Sequence, residues 1–71
     1  MTEELWLAAL VREWAVRVLP GDHAAAAQAA ALALHAYEAG ATFAEAYARG
    51  QQYVASRSRQ RPRTRSASGR P

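Results

Sequence analysis

With 71 residues and no cysteine, this chain is one domain at most, with neither disulfides nor a cysteine-held zinc to staple it. Its formal charge of +3 hides a partition. Residues 55–71 hold six arginines and no acid, whereas residues 1–54 hold all six acids against Arg12, Arg17 and Arg49. A body of −3 therefore carries an arm of +6, and arms of that kind bind polyanions or acidic surfaces by point charge.

The same composition argues against a membrane. Residues 23–39 are long enough to cross one, but alanine is only weakly apolar, and Gln28, His35 and Glu38 interrupt the run. No basic cluster flanks it. Met1-Thr2-Glu3-Glu4 opens acidic where a secretory leader opens basic, so the expected location is cytoplasmic, in keeping with the lack of cysteine.

The expected fold class is all-α: a small antiparallel three-helix bundle with helices over about 3–19, 23–39 and 43–55, and a disordered basic C-terminal tail. The domain organisation that follows is a helical domain over 1–55 and an arginine-rich tail over 56–71. No alternating run of β-branched residues supports a sheet.

Thr2 is placed to cap the first helix, with Glu3 and Glu4 where the helix dipole favours anions. Pro20-Gly21 ends that helix. At about 100° per residue, Leu7, Leu10, Val11, Trp14 and Val18 form one stripe. Leu5, Val16 and Leu19 lie roughly opposite, and Trp6 sits at the edge beside Glu13 and Arg17. A three-helix monomer has no second apolar face to offer them. Leu5, Trp6 and Val16 are thus the candidate partner-binding residues, for a second copy of the chain or for another protein.

Asp22 caps the second helix, which ends at Gly40 as a left-handed residue. This helix is mostly alanine, with Leu32, Leu34 and Tyr37 its only large apolar side chains. Its thinness lets neighbours approach closely, so the bulk of the core is expected from Leu7, Leu10, Trp14, Phe43 and Tyr47. Gln28, Leu32 and His35 fall on the outward side.

Thr42-Phe43-Ala44-Glu45 is a capping box opening the third helix, whose inner face is Phe43, Ala46, Tyr47, Gly50 and Val54. Helix 3 starts with nothing that reads a base edge, and helix 2 is alanine, so the body is not expected to recognise a DNA sequence. Tyr53 stands one turn before the arginines, where stacking on a base competes with burial at the end of the core.

The tail places Arg57, Arg59, Arg61, Arg63 and Arg65 at every second position, among serine, glycine and proline. With nothing apolar to bury, such a segment is expected to be disordered when free. Extended, it would line its arginines along one edge at roughly 6.6–7 Å intervals, near the spacing of phosphates on a nucleic-acid strand. These five are the candidate nucleic-acid-binding residues. Guanidinium binds phosphate bidentately, without regard to sequence, and with strong salt dependence. The alternative for the tail is an acidic protein surface, and alanine and arginine enrichment without lysine is also what codon usage in a GC-rich genome produces. Phosphorylation of the intervening serines or Thr64 would cancel the charge.

His23 and His35 lie twelve residues apart on one helix, too far to share a metal. No catalytic relay, metal set or glycine-rich phosphate loop is present, so neither an enzyme nor a cofactor is expected. The leading functional expectation is a helical interaction protein that contacts nucleic acid or a nucleoprotein assembly through its tail. The competing one is an accessory subunit or inhibitor docking on one protein through helix 1.

Overall fold

The computed structural model describes residues 2–60, and these form three helices, α1 (Glu3–Val18), α2 (His23–Glu38) and α3 (Phe43–Gln60), with no strand among them. The expected antiparallel three-helix bundle is the fold. Its punctuation is local chemistry. The Thr2 hydroxyl accepts from the Leu5 amide at 3.2 Å, and the Asp22 carboxylate from the Ala25 amide at 3.0 Å. Thr42 and Glu45 form the reciprocal box, each side chain accepting from the other's amide at 3.1 and 3.0 Å.

The two helix ends are closed by glycines. At the first break Leu19 accepts from the Asp22 amide at 3.1 Å, with Pro20 second in the turn and Gly21 third at φ +85°, the backbone of a type II turn. At the second, Gly40 at φ +112° donates to Tyr37 and Ala41 donates to Ala36, at 3.1 and 3.0 Å. That pair of bonds is the Schellman motif, and it satisfies two carbonyls that the end of α2 would leave open.

Packing departs from the expected wheel in an instructive way. α2 lies between its neighbours and packs extensively against both, while α1 and α3 touch each other far less. The buried residues of α2 are Ala25, Ala26, Ala29, Ala30 and Ala33. Against them α1 lays a ridge of every fourth residue: Leu7, Val11, Ala15 and, just past the helix, Leu19. α3 adds Ala46, Gly50 and Val54.

Three expectations for α1 therefore need correction. Leu19 is buried at 2 % exposure rather than facing outward, Val18 is 39 % exposed, and Leu10 is only half-buried. The chain leaves the helix at Leu19 with φ −126° and ψ 75°, which breaks the wheel there and lets the leucine close the end of the core. Trp14, Phe43 and Tyr47 pack against the core without being fully inside it. Helices that meet across alanine leave no gap wide enough for a large ring, so the rings cover the flanks. Leu32 of α2 is half-buried, not fully outward.

Gly50 shows how close the approach is. A Cβ there would lie 2.8 Å from Val11 Cγ1 and 3.1 Å from the Ala29 carbonyl oxygen. All three helices converge on this one position.

α3 also runs five residues beyond the expected end at 55, so residues 56–60 of the expected tail are helical. Arginine and glutamine are good helix formers, and Arg57 and Arg59 stand in the last turn, where the dipole favours cations.

Candidate interaction surfaces

The base of the basic arm is held by the body. Arg57 Nε lies 3.4 Å from Asp22 Oδ2, joining the last turn of α3 to the cap of α2. One carboxylate thus does two jobs, accepting from the Ala25 amide and facing the first arginine of the arm. The guanidinium side chain remains 46 % exposed, so the pair is a surface contact worth about 0–1 kcal/mol.

Helix geometry also changes what the alternation means here. Residues two apart on a helix point roughly 200° from one another, so Arg57 and Arg59 do not share an edge. Arg59 is exposed. Arg61, Arg63 and Arg65, the other candidate phosphate contacts, lie outside the described residues.

The outer face of α1 is open. Leu5 is 60 % exposed, Trp6 52 % and Val16 37 %. Trp6 and Val16, with Leu10 and Ala9, edge a shallow depression along the helix, bordered by Arg12, Glu13 and Arg17. All three charged residues are exposed, and none of their side chains makes a hydrogen bond or ion pair with another described residue. Two of the three candidate partner-binding residues, Trp6 and Val16, therefore line one depression, and Leu5 is exposed outside that lining. Leu10 joins them from the stripe that the wheel had assigned to the core.

The remaining candidates disperse. His23 and His35 are exposed, and no group of three potential metal ligands occurs among the described residues. Tyr47 and Tyr53 pack against the core. No described helix is long and apolar enough to cross a membrane.

One contact had no signal in the sequence. Tyr37 donates its hydroxyl to Glu3 Oε1, tying the end of α2 to the start of α1, while its ring meets Phe43 edge-on at a centroid distance of 6.4 Å. The hydrogen bond to Glu3 holds the phenol pKa above its ordinary value, with desolvation and the charges of Glu3 and Glu4 acting in the same direction. Antiparallel topology places these residues together, 34 positions apart in the chain.

Comparison with known proteins finds no matching family model, no matching curated protein and no matching solved structure.

Proposed function

We propose that this chain is a small, non-catalytic interaction protein that associates through its helical body and holds nucleic acid, or a nucleoprotein assembly, through its arginine arm. The observation that carries this reading is the charge partition: six arginines and no acid over residues 55–71, against a body of −3 that repels phosphate. The contact is electrostatic and indifferent to sequence. The body contributes by bringing two arms together, which raises avidity without adding a contact.

The test is the salt dependence of binding to single- and double-stranded oligonucleotides of several sequences. Four to six phosphate contacts give a slope of log K against log salt of about −3 to −5. Ending the chain after Gln60 keeps α3 whole and removes four of the six arginines. The slope should then fall to about −1 to −2. A flat salt response in the full chain, or a truncation that binds as well as the parent, overturns the reading.

The exposed Leu5, Trp6 and Val16 favour a second reading, in which α1 docks on a single partner protein and the arm is incidental or fills an acidic groove. Partner binding that survives truncation unchanged would select it.

A further inference from the structure

We infer that the occupant of the open face of α1 is a second copy of this chain, packed antiparallel on the same face. This rests on the proposed association through the body and names its partner and register. The argument is self-complementarity. An isologous contact brings residue i against j and j against i about a two-fold axis.

On a wheel of about 100° per residue, Leu5 and Val16 share one edge of the outer face, Trp6 and Arg17 the other, and Ala9 and Glu13 lie between. Antiparallel packing pairs each edge with itself. Leu5 then meets Val16 of the second copy, Trp6 meets its Arg17, and Ala9 meets its Glu13. Each of these pairs is centred within about half a residue of position 11, so one axis generates all of them. The small Ala9 lets the helices approach, while the guanidinium of Arg17 covers the indole face of Trp6.

Charge supports the antiparallel sense. The side chains of Arg12, Glu13 and Arg17 have no partner among the described residues of their own chain. Near the axis Arg12 of one copy comes within reach of Glu13 of the other, twice by symmetry. Parallel packing would instead oppose Glu13, near the middle of the face, to Glu13 of the second copy, a like-charge contact.

Size sets the strength. The 16-residue α1 is about 24 Å long, so one face of it hides only several hundred Å2 per copy, at the low end for specific interfaces. The dimer is therefore weak, with a dissociation constant on the order of 10–100 µM. Its geometry bears on function. The end of α3 lies beside Asp22, at the C-terminal end of α1. The two arms then spring from opposite ends of the dimer, and it would span a polyanion rather than grip one point.

The full chain has no cysteine, so introduced thiols are its only ones. Leu5→Cys and Val16→Cys variants, mixed and oxidised, should give a disulfide-linked heterodimer. Leu5→Cys alone should not link to itself, because its two copies would lie about 18 Å apart along the axis. By sedimentation, Trp6→Ala should weaken the dimer at least tenfold, with its helical circular dichroism unchanged. Self-linking of Leu5→Cys overturns the antiparallel register. A dimer indifferent to Trp6→Ala overturns this surface but leaves association through the body standing. A monomer at several hundred micromolar overturns both, and leaves the salt-dependent binding of the arm to be judged by its own test.

Discussion

Replacing Gly50 with alanine probes the point where all three helices meet. The added methyl would lie 2.8 and 3.4 Å from the two Val11 methyls and 3.1 Å from the Ala29 carbonyl oxygen. Valine cannot easily turn away, since branching at Cβ leaves it few rotamers and both its methyls face the site. The carbonyl belongs to the α2 backbone and moves only with that helix. Alanine improves helix propensity over glycine by about 1 kcal/mol, whereas forcing a methyl into a filled core costs about 1–3 kcal/mol. Here the steric cost exceeds the propensity gain, because one of the clashing atoms is backbone. The expected net loss is about 1 kcal/mol, or a melting temperature about 4–8 °C lower for a body of this size.

The assay is thermal unfolding followed by circular dichroism at one fixed protein concentration. Pairing Gly50→Ala with Val11→Ala removes the closest clash, so the double variant should lose less than the sum of the singles by about 0.5 kcal/mol or more. Gly21→Ala and Gly40→Ala serve as controls. Nothing lies within 4 Å of a Cβ at either, so their cost of about 1–2 kcal/mol comes from positive φ alone and should not couple to Val11. A Gly50→Ala variant as stable as the parent, or strict additivity with Val11→Ala, would refute the close three-helix contact.

Two further outcomes follow from the surface bonds. Asp22→Ala should cost about 0.5–2 kcal/mol through the lost cap. Asp22→Asn keeps a capping oxygen and should cost less than half as much, with little change at 1 M salt, because the Arg57 pair is exposed. Equal losses in the two variants would mean that charge rather than capping dominates. In an alkaline titration read by phenolate absorbance, the increment lost in Tyr37→Phe should be centred above pH 10, the tyrosine reference value. The raised pKa means that the Tyr37–Glu3 link contributes fully below the unfolded-state value and is lost as pH climbs through the folded one. A Tyr37 increment centred at or below pH 10 contradicts that bond.

What was legible in the chain was whatever depends on near neighbours. Each helix start is a side chain binding an amide three residues on, and each break is a glycine with positive φ, so Thr2, Asp22, Gly40 and the Thr42–Glu45 box could be read directly. The exposed Leu5, Trp6 and Val16 were legible too, as apolar residues with no place in a three-helix core. The end of α3 was misplaced because arginine and serine suggested disorder by composition, while helix propensity and the dipole carry the helix on to Gln60.

Composition, caps and charge partition are properties of the chain itself, and they sufficed for the helix count, the antiparallel order and the contrast between body and arm. Which face of α1 is inner was decided only by tertiary packing. A wheel treats Leu10 and Val18 as the equals of Leu7 and Val11, but the alanine surface of α2 admits one ridge of every fourth residue and turns the others outward. The same close approach made Gly50 a contact rather than a gap, and brought Tyr37 to Glu3 and Arg57 to Asp22 across more than thirty residues of sequence. Separations of that length are set by how helices pack, which no local pattern encodes.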